Sequence, residues 1–300
     1  MRVIVSGSSG LIGRALGVRL ASTGHEMIRL VRRPARTPGE VAWNPQAAGG
    51  GLAPGALDGA DAVVNLAGAP IAGRWTAARK RAIRDSRVAG TTALVSALTA
   101  MDEPPSVLLS GSAIGYYGDT GGRAVDESAP PGASFLSGVA RDWEAAAAPA
   151  ENAGIRVVSL RTGIVLSRHG GAVGRLLPLF RLGLGARFGT GTQVMSWIML
   201  TDLVQILCFL LAKQDIKGPV NLTAPHPAAN AEFTSALASA VGRKARLGLP
   251  AAALQLGLGE VAGELLSSAR VMPRRLLDAG GETLWHSGGS ISAALAAELS

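Results

Sequence analysis

Three glycines near the N-terminus constrain the fold of this chain more than any other feature. Val3-Ile4-Val5 is a short apolar run, and Gly7, Gly10 and Gly13 follow it at a G-x-x-G-x-x-G spacing. Apolar residues then recur at helical spacing as far as Leu20. This order predicts a buried strand, a tight turn and a helix whose N-terminus offers free N–H groups to an anion. We predict a nucleotide-binding turn here, and an ordinary strand-to-helix turn is the alternative.

Each glycine has its own expected role in such a turn. Gly7 permits the tight turn, Gly10 lets the backbone approach a pyrophosphate, and Gly13 lets the helix pack closely against its strand. The residues predicted to bind the cofactor in this segment are Gly7, Ser8, Ser9, Gly10, Leu11, Ile12 and Gly13.

Composition excludes several classes of protein. Hydrophobic residues make up 48% of the 300, which excludes a disordered chain. No apolar run reaches the ~18 residues that span a bilayer, so we expect no membrane segment. Cys208 is the single cysteine, so no disulfide framework can form within the chain, and a reducing, cytoplasmic compartment fits.

The net charge of +8 does not identify a partner. The densest basic run, Arg79-Lys80-Arg81 with Arg84 and Arg87, lies on a predicted helix and is interrupted by Asp85. This pattern favours a solvated helix face over a nucleic-acid contact. The four histidines show no metal-binding spacing, so we predict no metal. The expected partner is a small-molecule substrate, and a homo-oligomer stays open.

Apolar runs and helical patterns alternate through the first two-thirds of the chain. The predicted strands are 2–5, 27–31, 62–66, 107–110 and 156–160, and the predicted helices are 11–22, 76–100 and 139–152. Such continuous apolar strands are typical of an α/β protein with a doubly wound parallel Rossmann sheet, whose ligand lies at the carboxyl ends of the strands.

The regular alternation of predicted strands and helices ends after Leu166. Residues 197–211 and 220–222 are predicted to return to the main sheet. We therefore assign residues 1–166 and 195–225 to the dinucleotide-binding domain. Residues 167–194 and 226–300 are predicted to form a smaller C-terminal region that binds substrate or acts as a lid.

Two arginines follow the second predicted strand. Arg32 lies 25 residues after Gly7, and Arg33 is next to it; the nearest carboxylate beyond them is Glu40. An acidic residue at such a position binds the ribose 2′-hydroxyl of NAD, whereas arginine accommodates the 2′-phosphate of NADP. The pair predicts NADP(H) as the cofactor, with two exposed loop arginines as the alternative.

Further motifs carry a family resemblance. They are Asn65-Leu66-Ala67-Gly68, Ser110-Gly111-Ser112-Ala113, Gly115-Tyr116-Tyr117-Gly118-Asp119, Trp143-Glu144, Arg161-Thr162-Gly163, Met195-Ser196-Trp197-Ile198 and Pro273-Arg274-Arg275-Leu276-Leu277. With these, nearly the whole chain resembles the extended short-chain dehydrogenase/reductase superfamily. It is most similar to an atypical branch of NAD(P)-dependent epimerase/dehydratase-like proteins that carry a C-terminal domain of unknown function.

The resemblance implies roles for particular residues. The residues that would line the cofactor beyond the glycine turn are Leu66, Ala67, Gly68, Arg161 and Gly163. Ser112 would occupy the position of the superfamily's substrate-polarising hydroxyl. Tyr116 and Tyr117 are further catalytic candidates, and the alternative is that they only form an aromatic wall. Glu144 is either a carboxylate buried near the ribose or one on the helix surface. Gln193, Ser196 and Trp197 are predicted to face substrate, although Trp197 also suits a core position.

The chain departs from the superfamily in its catalytic pair. Tyr-x-x-x-Lys is absent, because no lysine stands four residues after either tyrosine. Met199 also stands where the resemblance leads us to expect a histidine. Two hypotheses follow. One is an NADP(H)-dependent oxidoreductase or epimerase-like enzyme that acts on a small carbonyl or hydroxyl substrate. The other is an NADP(H)-binding sensor or scaffold with little catalysis.

Overall fold

A computed structural model describes residues 1–47, 51–286 and 289–300. The strands are β1 (Arg2–Ser6), β2 (Glu26–Val31), β3 (Glu40–Ala42), β4 (Ala62–Asn65), β5 (Val107–Ala113), β6 (Ala124–Val125), β7 (Arg156–Thr162), β8 (Ile164–Ser167), β9 (Ala186–Phe188), β10 (Val194–Met195), β11 (Trp197–Met199), β12 (Gly218–Leu222), β13 (Ala228–Ala229), β14 (Leu247–Leu249) and β15 (Arg270–Val271). The α-helices are α1 (Leu11–Ser22), α2 (Ala77–Thr99), α3 (Phe135–Ala147), α4 (Gly171–Arg181), α5 (Leu200–Ala212), α6 (Asn230–Ala240), α7 (Ala251–Leu258), α8 (Val261–Leu266), α9 (Arg274–Asp278) and α10 (Ile291–Leu299). Short 3-10 helices cover Ile114–Tyr117, Ala148–Ala153 and Gly281–Leu284.

The central sheet has the order β12-β7-β5-β4-β1-β2-β3, and every pairing in it is parallel. From β1 the chain first adds β2 and β3 on one side and then crosses to add β4 on the other. The order therefore reverses at β1, and a crevice opens beyond the carboxyl ends of β1 and β4. In doubly wound sheets this switch point is where ligands bind.

Both faces of the sheet are buried, because successive side chains of a strand point to opposite sides. In β1, Val3 and Val5 join one core, where they meet helices α1 and α5. Ile4 joins the other core, where α2 and the residues around Ala147 cover the sheet. The continuous apolar strands of the sequence are explained by these two helical layers.

The predicted fold class is confirmed, with two local corrections. The prediction that residues 197–211 return to the main sheet is wrong for the strand they contain, because Trp197–Met199 pairs with β8 in a separate two-stranded sheet. The short strand β3, Glu40–Ala42, was not predicted and forms the edge of the main sheet.

Short strand pairs bring distant parts of the chain together. Strand β15 pairs with β6, β14 with β9, and β13 with β10. In the described part of the chain, no helix is long and apolar enough to cross a membrane.

Candidate functional site

A cavity of about 680 Å³ lies at the carboxyl ends of β1, β2 and β4. We call it the switch-point cleft. Its lining consists of Gly7, Ser8, Ser9, Gly10, Leu30, Val31, Arg32, Arg33, Trp43, Asn44, Pro45, Gln46, Leu66, Ala67, Gly68, Asp85, Ser86, Ala89 and Gly90. Its volume lies within the range of small-molecule and cofactor pockets. Nine of the residues predicted to bind the cofactor line this cleft: residues 7–10, the two arginines 32 and 33, and residues 66–68.

The glycine turn has the geometry that its spacing predicts. Gly7 has a φ of +68°, and a Cβ there would lie 2.7 Å from the carbonyl carbon of Leu66. A Cβ on Gly13 would lie 2.5 Å from the carbonyl oxygen of Gly7, inside the turn itself. Gly10 is exposed, precedes the first residue of α1, and leaves the helix N-terminus open to the cleft. The turn therefore needs glycine at positions 7 and 13 for packing.

A buried polar chain fixes the floor beneath the turn. The Ser6 hydroxyl donates to Asn65 Oδ1 at 2.5 Å, and Asn65 Nδ2 donates to Thr91 Oγ1 at 2.8 Å. The Trp143 indole N–H also donates to Thr91 Oγ1 at 2.9 Å. Strands β1 and β4 are thereby tied to helices α2 and α3. Sequence reasoning missed this series of hydrogen bonds, because the bonded residues are 26 to 59 positions apart and no motif links them.

The two cleft arginines have different surroundings. Arg33 donates two hydrogen bonds to Glu40, at 2.7 and 2.8 Å, and Arg29 also approaches that carboxylate at 3.1 Å. The Arg33 hydrogen bonds, followed by the backbone N–H of Arg36, lower the pKa of Glu40 to about 2. Arg32 is exposed and forms no hydrogen bond or ion pair with any described residue. Arg32 thus offers its guanidinium to a ligand, while Arg33 holds β3 against β2.

Residues 43–46 line the cleft beside these arginines and were missed by sequence reasoning. They follow β3, and Trp43 is buried against the core on that side of the sheet. The available signal was the short run Glu40-Val41-Ala42 before an aromatic residue, asparagine and proline. A three-residue edge strand is too short for periodicity to reveal.

Arg87 corrects the prediction of a solvated basic face on α2. Its Nη1 donates to the carbonyl oxygens of Ala69 and Ile83, at 3.0 and 2.9 Å, and its guanidinium lies 5.0 Å from the centre of the Trp143 ring. Burial lowers the pKa of Arg87 to about 10. A Cβ on Gly68 would lie 3.0 Å from the guanidinium carbon. This arginine therefore supports the Gly68–Ala69 wall of the cleft.

A second polar cluster lies on the neighbouring strands β5 and β7. We call Ser112, Glu144, Arg161, Tyr117 and Asn221 the Ser112 network. The Ser112 hydroxyl donates to Glu144 Oε1 at 2.6 Å. Arg161 donates from Nε to Oε1 of the same carboxylate at 2.8 Å and from Nη2 to Oε2 at 2.9 Å. Ser112 and Arg161 are register partners, so the sheet itself sets their positions.

The two tyrosines have different environments in this cluster. Tyr117 is buried, accepts from Arg161 Nη1 at 2.9 Å and donates to Asn221 Oδ1 at 2.7 Å. Burial raises the pKa of Tyr117 to about 12, against the opposing charge of Arg161. Tyr116 is partly exposed, and its ring centre lies 3.5 Å from the Arg161 guanidinium carbon. The catalytic roles of both residues stay predictions, and the geometry leaves Tyr116 the more accessible of the two.

Arg161 is charged in this setting. Burial opposes its charge, but its bonds to Glu144 and its contacts with Tyr117 outweigh burial and raise its pKa. The bidentate geometry is the strongest form of arginine–carboxylate pairing. The guanidinium is fully occupied by protein groups and one aromatic face, so its predicted contact with the cofactor stays a prediction.

Helix α3 begins at Phe135 and presents apolar groups in its first turn. Phe135 and Val139, at i and i+4, pack in a small core with Trp75, whose ring centre is 5.2 Å from that of Phe135. A tyrosine and a lysine at this spacing would lie on one helix face. This face of α3 therefore carries apolar side chains at the i and i+4 positions, which pack in a small core.

Three residues predicted to face substrate are buried. Gln193 Nε2 donates to the carbonyl oxygen of Phe188 at 3.1 Å, and the Ser196 hydroxyl donates to that of Ala269 at 2.7 Å. Trp197 lies in the core and donates its indole N–H to the carbonyl oxygen of His226. Gly163 lies close to them, since a Cβ there would be 2.9 Å from the carbonyl oxygen of Ser196. Their roles in binding substrate or cofactor stay predictions.

The geometry agrees with the result of a family comparison. Residues 3–223 match the NAD dependent epimerase/dehydratase family, and residues 249–280 match a domain of unknown function, DUF1731. The chain belongs to the NAD dependent epimerase/dehydratase family. The resemblance inferred from the motifs is thereby confirmed, including its C-terminal domain.

Individual relatives cover nearly the whole chain. A Mycobacterium bovis protein named epimerase family protein Mb2239 is 47% identical over 280 residues, which are 93% of this chain and 92% of that protein. The crystal structure of human epimerase family protein SDR39U1 (isoform 2) with NADPH matches at a TM-score of 0.90 and 36% identity, covering 100% of this chain and 99% of the human one. A nucleoside-diphosphate sugar epimerase from Corynebacterium glutamicum matches at a TM-score of 0.81 and 37% identity, covering 100% of this chain and 58% of that protein.

Proposed function

We propose that this protein binds NADP(H) in the switch-point cleft and acts as an oxidoreductase or epimerase-like enzyme on a small carbonyl or hydroxyl substrate. The observation that carries the proposal is Arg32, an exposed guanidinium that lines the cleft beside the glycine turn. The NADPH in the crystal structure of human SDR39U1, a relative of the same fold and length, supports the choice of cofactor.

The residues of the cleft fit such a cofactor. A Cβ on Gly7 would meet the Leu66 carbonyl, so the turn is compressed against β4, and the exposed Gly10 leaves the start of α1 open to an anion. Backbone N–H groups at a helix N-terminus suit a pyrophosphate. A guanidinium suits a 2′-phosphate, because its planar set of donors matches phosphate oxygens. When bound, the cofactor would supply hydride chemistry, while the protein binds and orients it.

Within this proposal, each group of predicted cofactor residues has a task. The glycine turn would bind the pyrophosphate, Arg32 the 2′-phosphate, and Leu66 to Gly68 the adjoining ribose. Ser112 lies one strand further, at the end of β5, where adjacent strands are about 4.8 Å apart. We also propose the division into a dinucleotide-binding domain (1–166 and 195–225) and a smaller substrate or lid region (167–194 and 226–300).

The cofactor proposal is tested by titrating the purified protein with NADPH and with NADH. In Arg32→Ser we expect NADPH to bind about 10- to 100-fold more weakly and NADH to be unaffected, because a charged hydrogen bond contributes about 1.5–3 kcal/mol. Arg246→Ser, which removes an exposed arginine outside the cleft, is the matched control and should bind both as the wild type does. An unchanged NADPH-to-NADH ratio in Arg32→Ser would refute the phosphate role.

A sensor or scaffold is the second candidate function. The observation that favours it is the Ser112 network, in which the Ser112 and Tyr117 hydroxyls are both bonded to other side chains. The discriminating measurement is stopped-flow absorbance of NADPH-loaded protein with a broad panel of carbonyl compounds, and of NADP-loaded protein with the matching alcohols. Oxidation or reduction of the cofactor by any pair supports the enzyme. Tight binding with no turnover across the panel supports the sensor.

A further inference from the structure

The hydrogen-bond direction at Ser112 limits what the site can receive. Glu144 accepts two hydrogen bonds from the buried side chain of Arg161, one on each carboxylate oxygen. An ionised carboxylate has no hydrogen to donate, so the single hydrogen of the Ser112 hydroxyl lies between Ser112 Oγ and Glu144 Oε1. The remaining lone pairs of Ser112 can only accept a hydrogen bond from a ligand.

A carbonyl oxygen cannot be that ligand group in this protonation state. It has no hydrogen, and Ser112 has none left to give it. A substrate hydroxyl, in contrast, donates directly to Ser112 Oγ. Ser112 itself is buried, and the residues that follow it, from Ala113 to Tyr116, are partly exposed, so the end of β5 reaches the surface.

We propose that Ser112 and Glu144 form a proton-accepting pair for alcohol oxidation, with Ser112 as the catalytic residue and Glu144 as a positioning residue that receives the proton through it. The inference rests on the proposed function. The substrate class is an alcohol whose hydroxyl donates to Ser112. Arg161 and the ring of Tyr116 hold the pair in place.

The step balances with the proposed cofactor as the oxidant. The alcohol O–H bond breaks and its proton goes to Ser112 Oγ, while the former Ser112 proton goes to Glu144 Oε1. The carbinol C–H bond breaks, and its two electrons and hydrogen leave as hydride to oxidised NADP, so a carbonyl product and a neutral Glu144 remain. In the reverse direction, neutral Glu144 returns the proton and Ser112 donates to the carbonyl oxygen.

The buried Tyr117 does not offer a competing acceptor. Tyr117 donates its hydrogen to Asn221 and has its pKa raised to about 12 by burial. Among the described residues, the charged group bonded to Glu144 is Arg161 from β7, which also bonds the Tyr117 hydroxyl, while Arg87 from α2 lies against the ring of the adjacent Trp143. Neither arginine can accept a proton, because the guanidinium stays protonated in proteins.

Glu144→Gln tests the pair, and Asp142→Asn is the matched control. Asp142 is on the same helix but pairs with Arg84 and Arg141 outside the network. We expect kcat for alcohol oxidation by the NADP-loaded protein to fall at least about 100-fold in Glu144→Gln and to stay unchanged in Asp142→Asn. The acidic limb of the wild-type kcat–pH profile should also disappear in Glu144→Gln, which a loss of packing alone would not cause.

A binding measurement provides a readout besides turnover. Trifluoroethanol, a hydroxyl donor, should bind the NADP-loaded protein at least about tenfold more tightly than acetone, which has only a carbonyl, and Ser112→Ala should abolish this preference. Fluorine NMR titration, with acetone as competitor, gives both affinities. Equal affinities, or an acidic limb that persists in Glu144→Gln, overturn the inference alone. No cofactor turnover with any alcohol–carbonyl pair overturns the proposed enzyme as well.

Discussion

The switch-point cleft and the Ser112 network lie on adjacent strands but are built in opposite ways. The cleft is formed by backbone at a glycine turn and carries an exposed cation, Arg32. The network is formed by buried side chains that bond to one another, with Arg161 at its centre. The cleft suits a large anionic ligand, because its free backbone N–H groups and the Arg32 guanidinium, unpaired among the described residues, can both bind such a ligand.

The Ser112 network differs from the cleft in that the position of each hydroxyl hydrogen is fixed by a partner. Ser112, Glu144 and Tyr117 each have their donors and acceptors assigned by a partner. Such satisfied buried networks are rigid, and loss of one member leaves others unpaired. The comparison therefore predicts that substitutions in the cleft change ligand affinity, whereas substitutions in the network change stability first.

The largest expected effect is that of Arg161→Met. It leaves Glu144 as a mostly buried carboxylate without its cation, and breaking a buried pair in this way costs about 3–5 kcal/mol. We expect the free energy of unfolding, measured with urea, to fall by that amount. Arg161→Met combined with Glu144→Leu should recover much of the loss, because both charges are then gone. Arg32→Ser should change stability by less than about 0.5 kcal/mol. Equal losses of unfolding free energy in Arg161→Met and Arg32→Ser would contradict the proposed difference between the network and the cleft.

Gly7→Ala is expected to cause the next largest loss of stability. It tests the glycine turn, which lines the cleft and also packs against the backbone after β4. A Cβ would be forced into a positive φ and within 2.7 Å of the Leu66 carbonyl carbon. The conformational cost of about 1–2 kcal/mol and the clash together should lower stability by about 3 kcal/mol. NADPH binding should be lost in the folded fraction, as measured by calorimetric titration.

The control for this glycine is Gly138→Ala. Gly138 lies inside α3 with open space where its Cβ would be, so alanine should raise stability by up to about 1 kcal/mol. A Gly7→Ala protein as stable as Gly138→Ala would show that the turn relaxes without cost.

The same contrast explains what could be predicted from the sequence. The strand, the glycine turn and α1 are contiguous, so a stretch of about twenty residues contains the whole signal, and the predicted helix 11–22 agrees with the structure. Arg32 lines the cleft because it directly follows β2, at the edge of the sheet where the carboxyl ends of the strands lie.

The remaining features depend on contacts that no local pattern encodes. Arg33 differs from Arg32 because it pairs with Glu40, and Glu40 lies on β3, a three-residue strand paired with β2. Glu144 meets Ser112 across 32 residues, and Tyr117 meets Asn221 across 104. Burial of Trp197 also follows from tertiary packing, since the pairing of β11 with β8 decides it.

The smallest expected effect concerns the two tyrosines, Tyr116 and Tyr117, which differ in burial. The chain has two tyrosines, and burial raises the pKa of Tyr117 from its ordinary value near 10 to about 12. The neutral form is favoured in the folded protein, so this stabilisation is complete below pH 10. It is lost as the pH rises towards 12, because the unfolded chain releases the proton first.

We therefore expect ultraviolet titration of tyrosinate to show a late component near pH 12 in the folded protein. Tyr117→Phe should remove that component, and Tyr116→Phe should retain it, since Tyr116 is partly exposed and stacks on Arg161 without sharing the buried hydrogen bonds. If the late component instead disappeared in Tyr116→Phe, the two tyrosines would have the opposite roles. Tyr117 would then be the accessible hydroxyl, and the argument that leaves Ser112 and Glu144 as the proton acceptors would fail with it.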